Sequence, residues 1–241
     1  MRVAIVSDIH GNLTAWEAVL ADIRSVAPDL VLHAGDLADG GSSPAAIVDC
    51  IRAFGWAGVQ GNGDEMLSRP ESLDEFISQS TAPPTLWNAV REMAAWTRAS
   101  LGKERLSWLG QLPLALTTDE LAVVHASPDH SWKAPPANAT DADLEHTYGP
   151  LGRPTVVFGH THLPAIRRLG ETGRLVINSG SVGLPYDGDP RAGYLLLEDG
   201  TPQIRRVAYD MEQEVERLKC SGLPHAEWVA RMLRAASPRM P

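Results

Sequence analysis

Residues 1–12 read MRVAIVSDIHGN, an apolar run that gives way to polar and turn-forming residues. Val3 to Val6 is a short apolar run of strand type that ends in Ser7 and Asp8. Thr14 to Glu17 then forms a capping box ahead of Trp16, Val19, Leu20 and Ile23 at helical spacing. The stretch therefore predicts a strand, a loop carrying Asp8 and His10, and a helix. The unit returns as a strand at Leu30 to His33, a loop GDLADGGSS, a helix from Pro44 to Phe54 and a strand at Ala57 to Gln60 before GNGD. Alternation of this kind predicts an α/β fold with ligands just past the carboxyl ends of the strands.

Further along, the texture changes between Glu65 and Gln111. Leu86, Val90, Met93, Leu101, Leu106 and Leu109 recur at helical spacing with Trp87, Trp96 and Trp108, broken by Pro83-Pro84 and Gly102. We read a helical insert over about 65–112 within one domain spanning 1–241. Its tryptophans are core residues or the wall of a pocket. A strand at Leu121 to Val124 ends at His125, a Pro-rich loop follows, and a polar helix spans Asp141 to Tyr148. Thr155 to Phe158 is a strand ending in GHTHLP. Strands at Leu175 to Ile177, Tyr194 to Leu197 and Ile204 to Ala208 come next, and Met211 to Lys219 and Ala226 to Ala236 read as packing helices.

Composition narrows the function. The chain has 241 residues, 44% hydrophobic and 21% charged, enough to bury a full core, which excludes a disordered or fibrous whole. A net charge of -9 without a basic run argues against long nucleic acid and anionic membrane as partners. Only Cys50 and Cys220 are present, which suits a reducing compartment and turns any metal search towards His, Asp and Asn. The start lacks a signal-peptide pattern and no apolar stretch approaches the roughly 20 residues of a membrane span, so the expectation is a cytoplasmic protein.

Five strand ends carry metal-capable side chains: Asp8 and His10, Asp36, Asn62, His125, and His160 with His162. Singly, such an Asp is a cap or turn former and such a His a hydrogen-bonded structural residue. Together they occupy equivalent strand ends, which a single parallel sheet would bring to one rim. Seven side chains exceed one tetrahedral zinc and suit two neighbouring cations, a standard device for phosphate-ester displacement by a metal-bound hydroxide. There is no G-x-S-x-G elbow, Walker loop or dinucleotide fingerprint to support another chemistry.

The order D-x-H, GD, GN-x-D, H, GH-x-H, from Asp8 to His162, resembles the calcineurin-like metallophosphoesterase superfamily, particularly its small bacterial and archaeal phosphodiesterase branch. The later INSGSVGLPYDGDPRAGY resembles that branch's loop. The resemblance implies a four-layer αββα sandwich of two facing mixed sheets flanked by helices. It also implies that Asp8, His10, Asp36 and His162 hold one metal, and Asp36, Asn62, His125 and His160 the other, with Asp36 as the bridge. Asp36, Asn62 and His125 would act through the metal-bound hydroxide. Manganese leads among the candidate metals, with Fe, Zn, Co and Ni admitted by the same donors.

Many members read GNHD where this chain has Gly63. The usual general acid is therefore missing, and His33, His130 and Asp64 are its conceivable stand-ins. Substrates whose leaving oxygen needs little protonation, such as aryl diesters, cyclic phosphates or phosphoanhydrides, are expected to be favoured. The loop Asn178 to Arg191, with Gly180, Gly183 and Gly188, either offers backbone N–H groups to phosphate or is a turn between strands. Arg191 is the candidate anion contact, and Asn12 either orients substrate or caps the first helix. His146 and His225 are expected on the surface. The leading expectation is a dinuclear phosphodiesterase acting on a small, nucleotide-like or cyclic phosphate. A dinucleoside-polyphosphate hydrolase, a protein phosphatase and a non-catalytic scaffold are the rivals. Two divalent cations would move the net charge from -9 to -5 and leave the site locally positive by two charges, with Asp8 and Asp36 as its only ligand carboxylates.

Overall fold

β1 (Arg2–Val6) buries Val3 and Ile5 on one face and Ala4 and Val6 on the other, so it is covered from both sides. This is the central strand of a five-stranded sheet in the computed structural model, which describes residues 1–241. α1 (Leu13–Val26) follows, then β2 (Leu30–His33), parallel to β1 with Val3 opposite Leu30. α2 (Pro44–Phe54) leads to β3 (Ala57–Gly58), parallel to β2. The capping box expected at Thr14 to Glu17 is corrected. Asn12 caps α1, its Oδ1 accepting from the Ala15 N–H at 2.9 Å, while the Thr14 hydroxyl donates to Glu214 at 2.7 Å. β3 is also shorter than the expected run to Gln60, because the Gln60 N–H leaves the ladder for the Pro113 carbonyl, 2.8 Å away.

The middle segment forms three helices, α3 (Asn62–Ser68), α4 (Glu71–Ile77) and α5 (Pro84–Leu109). Pro84 starts α5, and Gly102, at φ 70°, breaks its helical path. Met66, Leu67, Leu73, Ala94, Leu101 and Leu109 join the core that α1 and α2 share with the first sheet. The helical texture therefore begins at Asn62, slightly before the expected boundary.

The second sheet comprises β4 (Ala115–Thr117), β5 (Leu121–Val124), β6 (Thr155–Phe158), β7 (Ala165–Arg168) and β8 (Leu175–Asn178), in the order β4-β5-β6-β8-β7. α6 (Asp141–Tyr148) covers its outer face through Leu144 and Tyr148, which pack with Ala122, Val124, Val156 and Val176. The chain then returns to the first sheet as β9 (Ala192–Glu198) and β10 (Thr201–Val207), completing β10-β9-β1-β2-β3. α7 (Met211–Ser221) and α8 (Ala226–Ala235) pack with α5 through Met93, Val215, Leu218, Trp228 and Leu233.

The two sheets face one another across Val3, Ile5, Leu32, Leu195 and Leu197 on one side and Leu121, Val123, Val157, Leu175 and Ile177 on the other. Period-two alternation sends the intervening residues outward to the helices. The result is the four-layer αββα sandwich. Each sheet has three parallel strands (β1, β2, β3; β5, β6, β8); antiparallel β9 adjoins the first trio on one side, and antiparallel β4 and β7 flank the second on both. A single sheet does not gather the seven strand-end residues, as their common placement had suggested; two sheets share them. β4 and β7 are edge strands without an apolar alternation to announce them, β7 exposing Ile166 and Arg168. No helix is long and apolar enough to cross a membrane.

Candidate metal centre

β1 and β2 end side by side, and the loops after them are laced together. The Asp8 N–H donates to the Gly35 carbonyl, and the His10 N–H to the Asp36 carbonyl, both at 3.0 Å. At the ends of β5 and β6 in the second sheet, the Gly159 N–H donates to the His125 carbonyl at 2.9 Å, and across the sandwich the His160 N–H donates to the Asp8 carboxylate at 3.1 Å. Gly159 permits this union of the sheets, since a Cβ there would lie 2.0 Å from the Ser7 hydroxyl. Asp8, His10, Asp36, His160 and His162 all adopt positive φ, between 49° and 65°. Left-handed backbone costs an L-residue about 1–2 kcal/mol, and such strain collects at functional sites. Five of the seven candidate side chains carry it, and the tight turns aim them at one another.

The seven side chains converge. His10 Nε2 lies 3.1 Å from His162 Nε2 and 3.9 Å from Asp8 Oδ1, and His162 Nε2 is 3.2 Å from the same oxygen. Asp36 Oδ2 stands between the two groups, 3.8 Å from His10 Nε2 and 3.4 Å from His125 Nε2. Asn62 Oδ1 completes the second group, 2.9 Å from His125 Nε2 and 2.8 Å from His160 Nδ1. Asp8, His10, Asp36, His125 and His162 are buried, while Asn62 and His160 are partly open.

The outer nitrogens of three rings are tied down. His10 Nδ1 donates to the Asp39 carbonyl at 3.0 Å, His125 Nδ1 to Ala34 at 2.7 Å and His162 Nδ1 to Leu184 at 2.5 Å. A carbonyl only accepts, so those nitrogens carry the proton and each neutral ring turns an Nε2 lone pair inward. Inside the cluster, nitrogen and oxygen atoms converge within 2.8 to 3.9 Å, so with the rings neutral their lone pairs meet with too few protons between them. This donor set fits divalent cations. Asp8, His10 and His162 form one buried group able to hold an ion, and Asp8, Asp36 and His125 another.

The surplus of acceptors also governs protonation. Burial opposes a charge on His10, but Asp39, Asp36 and Asp8 outweigh it and raise the ring to about 10. For His125, burial is likewise overcome, first by Asp36, and the ring rises to about 9. His160 goes the other way, to about 4, through burial and then the neighbouring His125 charge. Burial would raise Asp36 and Asp8, yet the histidines hold both carboxyls below their ordinary range, His125 foremost at Asp36 and His162 at Asp8.

Asp39 went unnoticed in the sequence. Its Oδ1 lies 3.2 Å from His10 Nδ1, and its carboxylate forms a third group with His10 and Asp36. It also explains Gly63. A Cβ at position 63 would lie 2.1 Å from Asp39 Oδ1 and 3.0 Å from Asp36 Oδ1, so the Asp39 carboxylate occupies space beside Gly63 that a side chain there would need. Three carboxylates, not two, therefore border the cluster, and two divalent cations would leave it positive by one charge. The only hint in the sequence is the acidic residue three positions after Asp36.

The other expected residues fall elsewhere. Asp64 is fully engaged by the N–H groups of Asp36, Leu37 and Gly61, and burial, aided by the Asp36 charge, pushes its carboxyl up to about 7. His33 is sealed within the core 6.4 Å from the Trp108 ring, where burial lowers it to about 4. His130 borders a polar cleft of Arg69, Glu75 and Lys133 that contains none of the seven residues. Arg191 pairs with Asp189 at 2.6 Å and stays half exposed. Asn12, besides capping α1, donates to the Gly183 carbonyl at 2.9 Å. The Gly-rich loop spends the N–H groups of Val182 and Gly183 on the Ser7 and Asp8 carbonyls, so it braces the strand end. His146 and His225 are exposed, the latter beside Glu92 at 2.9 Å.

A fold of two facing mixed sheets with a buried Asp/His cluster across their strand ends defines a metallophosphoesterase. Residues 1–201 match the calcineurin-like phosphoesterase superfamily domain, and the chain belongs to that divalent-metal-dependent superfamily. An uncharacterized protein of Methanocaldococcus jannaschii is 30% identical over 250 residues, covering 96% of this chain and 96% of its own. A metallophosphoesterase from Sphaerobacter thermophilus is similar in structure, with TM-score 0.81, 28% identity and coverage of 98% of this chain and 99% of that one. A hypothetical protein from Pyrococcus horikoshii has TM-score 0.83, 19% identity and coverage of 99% of both chains, a likeness of fold.

Proposed function

We propose that the chain is a phosphodiesterase that uses two divalent cations, one held by Asp8, His10, Asp36 and His162, the other by Asp36, Asn62, His125 and His160. The observation that carries this reading is the convergence of Nε2 and carboxylate lone pairs, with the outer ring nitrogens committed to backbone carbonyls. Bound there, divalent cations supply an acidified water and neutralise charge building on phosphorus. The chain's own residues do the rest. Asp36, between the two groups, sets their spacing, and the backbone bonds from Asp39, Ala34 and Leu184 hold three rings in the tautomer that presents Nε2.

Hydrolysis would join the oxygen of water to phosphorus and break one P–O ester bond, giving a phosphate monoester and an alcohol. Gly63 offers no proton to the departing oxygen, and neither Asp64, His33 nor His130 faces the cluster to replace it. Esters of acidic alcohols are therefore favoured. The same reading takes 1–241 as one domain with the 65–112 insert on its flank, manganese as the working metal and the cytoplasm as its place, where free Cys50 and Cys220 persist.

The test is a panel of a bis-aryl phosphate, a cyclic nucleotide, a dinucleoside polyphosphate and a phosphopeptide with Mn²⁺. Fastest turnover of the aryl diester supports the proposal. Preference for the polyphosphate or the phosphopeptide would replace it with those activities, and metal binding without hydrolysis of any of the four would leave a binding module.

A further inference from the structure

Beside the candidate metal centre opens a cavity of about 390 Å³, of the size that takes a small organic ligand. His10 and Asp39 stand at its cluster end. Its walls come from the helical insert (Leu86, Val90, Met93, Ala94) and from α8 with the tail behind it (Trp228, Met232, Met240). The α8 residues lie beyond residue 201, where the superfamily match ends. Tyr186 joins the two regions: it lines the cavity and its ring stacks on His162, centroids 4.4 Å apart and planes 17° apart.

The lining is chemically one-sided. Four of the chain's six methionines, Met66, Met93, Met232 and Met240, face the space. Beyond His10, Asp39 and Arg239 its polar groups are few, and two of them are already spent. The Trp228 indole N–H donates to the Arg239 carbonyl at 2.7 Å, and the Tyr186 hydroxyl points at the Met232 sulfur, 3.8 Å away. A nucleobase placed here would surrender its hydrogen bonds to water and find few replacements. An aromatic hydrocarbon surface loses nothing polar and gains thioether–ring contacts, which methionine adapts to supply.

We propose that this cavity binds an aryl group esterified to the phosphate, so that the substrates are aryl phosphodiesters and not nucleotides. The inference rests on the phosphodiesterase reading for where the phosphate sits, and it adds what the phosphate carries. A separate observation points the same way: the site lacks a proton donor at Gly63, and an aryl oxygen departs with less need of one than an alkyl oxygen.

The experiment compares three singly charged diesters that differ only in the organic part: methyl 1-naphthyl phosphate, adenosine 3′,5′-cyclic phosphate and dimethyl phosphate. With methionine methyl groups labelled by ¹³C, binding to the full chain is followed by NMR, both without metal and with diamagnetic Zn²⁺. The naphthyl ester is expected to shift the methyls of Met66, Met93, Met232 and Met240, leave those of Met1 and Met211 in place, and bind at least tenfold more tightly than the other two. Leu86→Trp, which fills the cavity from the insert, is expected to weaken naphthyl binding and raise its KM about tenfold or more. Equal affinity for all three diesters, or no movement of the four methyls, overturns the proposal. Selective methyl shifts without hydrolysis of any ester would uphold the cavity as an aryl site while removing the hydrolytic reading, so the two failures are told apart.

Discussion

Asp36 touches both halves of the candidate centre, its Oδ2 facing His10 and His125 while Oδ1 accepts the Gly63 N–H at 2.7 Å. Asp36→Asn keeps its shape and removes its charge. Loss of outer-sphere partners alone costs metal sites 10- to 100-fold, so this variant should lose on the order of 100-fold or more in turnover together with bound metal. Two metals per chain by elemental analysis and near-normal rates would refute the bridging role. Gly63→Ala drives a Cβ against Asp39 and should lower stability by about 1–3 kcal/mol in urea denaturation, the usual cost of overpacking. Adding Asp39→Ala should return part of that loss. Strict additivity of the two changes would mean that the contact is not the cause. The seven candidate residues were legible because each follows an apolar strand run. Asp39 was not, because its relevance depends on the absence of a side chain 24 positions away.

α1 illustrates what an element owes to distant partners. Its capping residue, Asn12, also holds the Gly183 carbonyl, so Asn12→Ala should cost about 1–2 kcal/mol, measured by urea denaturation, in the range of a lost helix cap. A loss below a few tenths would show that water replaces the cap. β2 carries a different liability in His33, whose ring finds no hydrogen-bond partner and stays neutral to about pH 4. The unfolded chain takes up that proton near pH 6.5, so the unfolded state binds more protons between pH 6.5 and 4. Stability is therefore unaffected above pH 6.5 and falls as pH drops towards 4, by about 3 kcal/mol from this group. His33→Leu should flatten that part of the stability profile; an unchanged slope would assign it to other groups. The core strands were readable as short apolar runs, and α1 from its helical spacing. The edge strands β4 and β7 were not, since an exposed edge needs no apolar period to hold it.

At the scale of the molecule, the ligand set draws together two sheets whose remaining contact is chiefly the apolar layer between them. Metal should therefore stabilise the whole sandwich: at a free concentration 1,000 times Kd, binding to the folded state alone adds about 4 kcal/mol. Chelation is expected to lower Tm of the intact protein by several degrees, and re-addition of Mn²⁺ or Zn²⁺ to restore it. An unchanged Tm, with metal loss verified by elemental analysis, would show that the cations do not join the sheets. The sequence alone determined the order of the core strands and main helices, the residue types of the site and their strand-end positions, because apolar runs, helical period and turn chemistry are local properties of a chain. Only the tertiary structure decided that the seven residues come from two sheets, that Asp39 fills the space beside Gly63, and that the insert and α8 enclose an apolar cavity next to His10. Those outcomes depend on close approaches between segments far apart in sequence, where a missing Cβ or a shared apolar face has meaning only once both partners are in place.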